Sequence, residues 1–144
     1  MMRGQTRGTT ANRHLASLEH DEQSALMAWA AHAAVRYPEL EWLFAIPNGG
    51  KRAPATARRL KKEGVKAGVP DTCLPVARGP HHGLFIEMKT KRGTASPAQK
   101  SWLDFLLGQG YLAVICRGWC EAANVLCDYL GIDDPDFRPA TSEE

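Results

Sequence analysis

At 144 residues the chain has the length of one domain, and a domain of that size buries about two-thirds of the surface that its unfolded form exposes. Apolar residues make up 44% and charged residues 24%, which excludes a disordered or fibrous protein, and the net charge of +2 is too small to identify a partner. The longest apolar run, residues 25–35, is short and contains His32, so no membrane span is expected. The opening MMRGQTRGTTANRH lacks the apolar stretch of a signal peptide, and the expected location is the cytoplasm.

Residues 1–16, rich in Gly, Thr and Arg without periodicity, read as a flexible basic arm. From residue 17 onward Leu18, Leu26, Trp29, Ala30 and Ala33 recur at helical spacing, predicting a helix that ends before Pro38. Glu19, Glu22 and Gln23 share one side of its first turns. EWLFAIPN then predicts a short strand, closed by a turn at Asn48-Gly49-Gly50. In APATARRLKKEG, Pro54 stands near a helix start and Gly64 just past its end. Residues 51–66 hold Lys51, Arg52, Arg58, Arg59, Lys61, Lys62 and Lys66 against Glu63; seven positive charges less one leave +6, a footprint for phosphate.

Two strands, residues 72–76 and 84–89, are joined by a Gly, Pro and His-rich loop that suits an antiparallel pair. His81 and His82 in that loop read as a solvated turn. SPAQKSWLDFLLGQG offers Ser96 as N-cap, Pro97 at the first helical position and Gln99 three past the cap, a capping-box pattern. Leu103, Leu106 and Leu107 supply its buried face. YLAVICR is apolar on both faces, as a central strand covered on two sides would be. A last helix, residues 120–130, precedes an acidic tail, residues 132–144, expected to be mobile. The order of elements is α/β with a mixed sheet. Cys73, Cys116, Cys120 and Cys127 form no C-x-x-C pair and read as buried free thiols rather than a zinc site.

Strand alternation carries the chemistry. Leu84, Ile86 and Met88 point one way and Phe85, Glu87 and Lys89 the other, so Glu87 and Lys89 are neighbours on one face. If the strand that starts at Asp71 pairs with this one, its carboxylate approaches Glu87. Two carboxylates so placed repel unless a cation lies between them, and a few carboxylate oxygens with retained waters suit Mg²⁺. Such a cation supplies what phosphodiester hydrolysis requires, activated water and relief of the charge on phosphoryl and leaving oxygens, while Lys89 orients water or stabilises growing negative charge. The basic helix would hold a nucleic-acid backbone through its phosphates. Alone, E-x-K on a strand is usually a surface ion pair and Pro-Asp a turn; their conjunction with a basic segment and an upstream helical acid favours the catalytic reading.

The pattern PD followed by IEMK resembles the PD-(D/E)xK nuclease superfamily. The wider string EHDEQ, PNGGKR, LKKEGVKAGVPD, LFIEMK, SPAQKSWLDFLLGQGYLAVICRG and YLG resembles its VRR-Nuc branch, the virus-type replication and repair nuclease domain, over residues 17–131. The resemblance implies a restriction-endonuclease-like core with a mixed central sheet flanked by helices, in a stand-alone domain of phage or prophage type. It implies Mg²⁺ or Mn²⁺ held by Asp71, Glu87, the backbone carbonyl of Met88 and, through water, Glu19, with Lys89 as catalytic lysine and Gln23 in support. Glu22 stands where an aliphatic residue is expected, so the choice of helical acid stays open between Glu19 and Glu22. Gln99 matches a glutamine of the following helix, and its capping role explains it equally well. Asn48, Lys51 and Arg52, with the basic helix and Lys91, would face DNA, although turn chemistry and surface charge also account for Asn48 and Arg52.

The implied activity is a metal-dependent endonuclease selective for DNA structure, acting on branched substrates such as four-way (Holliday) junctions as a homodimer, in repair or recombination in a bacterial or phage-infected host. Nicking or flap cleavage is the nearest alternative. A DNA-binding module without catalysis is the rival from another class. GGK lacks the spacing of a phosphate-wrapping loop, which disfavours a nucleotide-binding enzyme.

Overall fold

The computed structural model describes residues 8–47 and 53–140, with side chains from Leu18 onward. Helix α1 spans Gly8–Ala33, and Leu26, Ala30 and Ala33 form its buried stripe. It starts well before residue 17, so the expected flexible arm is corrected over residues 8–16. Extending a formed helix through a stretch without proline costs little, and Ala11, Arg13, Leu15 and Ala16 favour it. A 3-10 turn, Pro38–Trp42, takes up the first two residues of the expected strand because Pro38 opens a turn and Leu40 is drawn into the core. Phe44–Ala45 then forms the short strand β1.

Helix α2, Pro54–Lys62, follows the expected basic segment, and none of its residues is buried. Strands β2, Thr72–Leu74, and β3, Leu84–Lys89, pair antiparallel, with Thr72 opposite Ile86 and Leu74 opposite Leu84. The intervening loop is a turn as expected: Arg78 and His81 exchange backbone hydrogen bonds of 3.0 and 2.9 Å. Helix α3, Pro97–Gly108, makes the crossover to β4, Leu112–Arg117, which runs parallel to β3, and α4, Trp119–Leu130, closes the core. The sheet order β1-β2-β3-β4 is mixed, giving the α/β core expected of this chain.

The order corrects one expectation. β4 lies at the edge of the described sheet, not at its centre. Its two apolar faces arise because α3 covers one and α4 the other, and apolar periodicity reports covered faces rather than neighbouring strands. Leu84, Ile86 and Met88 are buried with Cys116, Leu126 and residues of α1, while Phe85 packs with Leu103, Leu106 and Ala113 on the α3 side.

The tail also departs from expectation. Ile132 is buried, Phe137 packs on the core, and Trp29 Nε1 donates to the Phe137 carbonyl at 2.7 Å. The Tyr37 hydroxyl donates to Asp134 at 2.8 Å and the Arg138 guanidinium to Asp128 at 2.6 Å. Residues 132–140 are therefore docked, held by one buried aliphatic and one aromatic side chain that the surrounding acidic composition conceals. The four cysteines are free, with Cys73, Cys116 and Cys127 buried and Cys120 half-buried. Burial lifts the Cys73 thiol to about 11 and that of Cys116 to about 12, consistent with inert core residues.

Candidate active site

The antiparallel register that sets Thr72 against Ile86 places Asp71, one step earlier, across from Glu87, one step later. Asp71 Oδ2 accepts the backbone N–H of Met88 at 2.7 Å, which fixes this carboxylate at the mouth of the hairpin. Its position also depends on the preceding loop. Gly68, at φ +87°, lies so close to α3 that a Cβ would come within 2.6 Å of the Ala98 carbonyl carbon.

Glu87 is 2% exposed, an unusual place for a carboxylate. Its two oxygens have different surroundings. Oε1 accepts from Gln99 Nε2 at 2.8 Å and lies 3.7 Å from Lys89 Nζ, whereas Oε2 is buried without a hydrogen-bond partner among the described residues. Burial is the largest influence lifting the Glu87 carboxyl to about 8, followed by the Asp71 charge. The Lys89 ammonium pulls the other way, and the Glu19 charge adds a smaller upward push. A proton or a cation between the two acids relieves this arrangement.

Gln99 serves both purposes that the sequence left open. Its Oε1 accepts from Ser96 N–H at 2.8 Å, Ser96 Oγ accepts from Gln99 N–H at 3.2 Å, and its amide nitrogen meanwhile holds Glu87. The two bonds also fix the amide orientation, since a flip would set oxygen against carboxylate and N–H₂ against N–H.

The two helical acids are distinguishable. Glu22 Oε2 accepts the backbone N–H of Trp119 at 2.6 Å, satisfying the first turn of α4, whose N-cap position is Gly118. Glu19, one turn earlier and half-buried, contributes charge to Glu87. Gln23 is half-buried, and no hydrogen bond links it to Asp71, Glu87 or Lys89 among the described residues. Nor do three His, Cys, Asp or Glu side chains converge as a ligand set among those residues. Arg58, Arg59, Lys61, Lys62, Lys66 and Lys91 are exposed, while Asn48, Lys51 and Arg52 lie outside the described residues.

Sequence reasoning passed over Arg117. It is opposite Lys89 in the parallel register, and its Nη1 donates to the carbonyls of Thr90 at 2.7 Å and Gly93 at 2.5 Å, pinning the turn that follows Lys89. A lone arginine at the end of an otherwise apolar strand was the available signal.

A mixed sheet with an acid pair and a lysine at the open end of its hairpin defines an α/β nuclease core. The family model for the VRR-NUC domain matches residues 17–119, and the chain belongs to this nuclease family. A solved structure of a VRR_NUC domain protein is similar to it, with a TM-score of 0.63 and 29% identity over 81% of this chain and 90% of that one. No curated protein matches the chain. DNA is accordingly its partner, and no helix among the described residues is long and apolar enough to cross a membrane.

Proposed function

We propose that the protein is a metal-dependent, structure-selective DNA endonuclease that hydrolyses phosphodiester bonds in branched DNA such as four-way junctions. The observation that carries this reading is Glu87, buried against Asp71 with one oxygen unpartnered and a lysine beside the other. A surface ion pair does not bury its acid against a second acid, which weighs against a binding module without catalysis.

Asp71, Glu87 and the Met88 carbonyl would hold Mg²⁺ or Mn²⁺, with Glu19 nearby and Glu22 already committed to α4. The bound cation would supply Lewis acidity at the phosphoryl oxygen and a lowered pKa for water. Gln99 keeps Glu87 oriented, and Lys89, 10% exposed, holds positive charge against the position of the reacting phosphate. Helix α2, all of it accessible, grips the backbone by charge and so favours DNA shape over sequence. Paired cuts across a junction require two such sites, hence a homodimer.

The test is cleavage of labelled four-way junction, flap and linear duplex DNA with Mg²⁺, Mn²⁺ or EDTA, with Glu87→Ala and Lys89→Ala alongside. Metal-dependent cutting that both substitutions abolish is expected, with symmetric cuts on the junction; cutting confined to flaps or single nicks would redirect the substrate assignment. Binding without cleavage under every condition would leave a DNA-binding module.

A further inference from the structure

A cavity of about 460 Å³ opens beside the acid pair and shares Lys89 with it. Lys91, Arg92 and Arg117 form one side, and Leu18 and Trp119 contribute apolar surface. That volume lies within the range of small-ligand pockets. Its walls are preformed. Arg117 clamps the carbonyls of Thr90 and Gly93, and the Gly93 N–H closes the turn on Thr90 O at 3.2 Å and Thr90 Oγ1 at 3.1 Å. On the other side Gly118 holds φ +92°, a backbone conformation that side chains rarely adopt, and the Glu22 carboxylate is bonded to the Trp119 N–H. Glu22, the one acid lining the cavity among the described residues, is thus engaged, and among those residues the cations at the lip have no acidic partner in it.

Cationic lip and apolar floor together match one chemical class, a nucleotide, with phosphate at Lys91 and Arg92 and the base against Trp119 and Leu18. A base within a duplex is stacked and paired and does not enter a side cavity, so the occupant has left the helix. We propose that this cavity is a subsite for one unpaired nucleotide of the cleaved strand, next to the phosphate that water attacks at the site formed by Asp71, Glu87 and Lys89. The proposal rests on the nuclease reading and names what makes a substrate acceptable: a nucleotide free to swing out beside the cut, as at a branch point.

The experiment is an abasic-site scan read by binding. A labelled branched DNA carries one abasic nucleotide at each position around the branch in turn, and fluorescence anisotropy with Ca²⁺ measures its Kd for the full chain. Base stacking on an aromatic side chain predicts about a tenfold weakening at one position. That dependence should vanish in Trp119→Ala, persist in part in Trp119→Phe, and shrink in Leu18→Ala, with thermal melts confirming that each variant is folded. A uniform response to abasic substitution, or a position effect unchanged in folded Trp119→Ala and Leu18→Ala, overturns the subsite. Because the readout is binding, position dependence in a protein that cuts nothing would refute the nuclease while retaining the subsite. Cleavage without position dependence would do the reverse.

Discussion

The two faces of β3 have opposite characters within six residues. One carries Leu84, Ile86 and Met88 into the apolar core between sheet, α1 and α4. The other begins alike, with Phe85 against α3, but ends in Glu87, a buried acid with an unpartnered oxygen, and half-buried Lys89 beside it. Burial of the first face stabilises the fold at about 25 cal/mol per Å² of apolar surface. The second holds a carboxylate where desolvation works against its charge. The contrast teaches that stability and chemistry are divided by side-chain alternation along a single strand.

If that division is right, Glu87→Gln lowers cleavage about 10³-fold or more without loss of fold, as measured by single-turnover kinetics beside a thermal melt. Ile86→Ala does the opposite. A truncation at a fully buried site costs about 2–5 kcal/mol in chemical denaturation, while activity per folded molecule stays within a few-fold of the parent. Equal damage by both changes to both properties would erase the distinction between the faces.

Proton linkage gives a finer test. The ordinary carboxyl of Glu87 in the unfolded chain loses its proton near 4.5, whereas in the fold it holds it up to about 8. Between these values the native state binds more protons than the unfolded one, so this contribution to stability is complete below pH 4.5 and is lost as pH rises through 8. Denaturation midpoints in EDTA from pH 5 to 9 should show the parent losing up to about 1.4 kcal/mol per pH unit relative to Glu87→Gln. Parallel pH profiles would show that the carboxyl is not perturbed. Gln99→Ala, which removes both a cap and a Glu87 contact, should cost about 1–2 kcal/mol and lower activity by about tenfold. The smallest effect belongs to α2, where Arg59→Gln with Lys62→Gln should flatten the salt dependence of DNA binding by about one unit of slope per phosphate contact and leave the melt unchanged.

Much of the fold was legible in the sequence because its signals are local. Alternation set the faces of β3, and Ser96, Pro97 and Gln99 announced α3. The Asp71 to Glu87 approach followed once the two strands were paired. What escaped notice depends on contacts distant in sequence. Glu22 finds the start of α4 97 residues away, and Trp29 binds the Phe137 carbonyl 108 residues away, so neither the choice between helical acids nor the docked tail had a neighbouring cue. The edge position of β4 was hidden because two covering helices make an edge strand as apolar as a central one.

The hairpin and the capped helix confine Asp71, Glu87, Lys89 and Gln99 to one short contiguous stretch of chain. Closing β2 on β3 and docking the first turn of α3 brings these groups together with little loop entropy to overcome. Their assembly therefore has low contact order and can precede the long-range closure of α1 on α4 during folding. Completing the site still requires β4 beside β3 and the surfaces of α1 and α4 that cover Leu84, Ile86 and Met88.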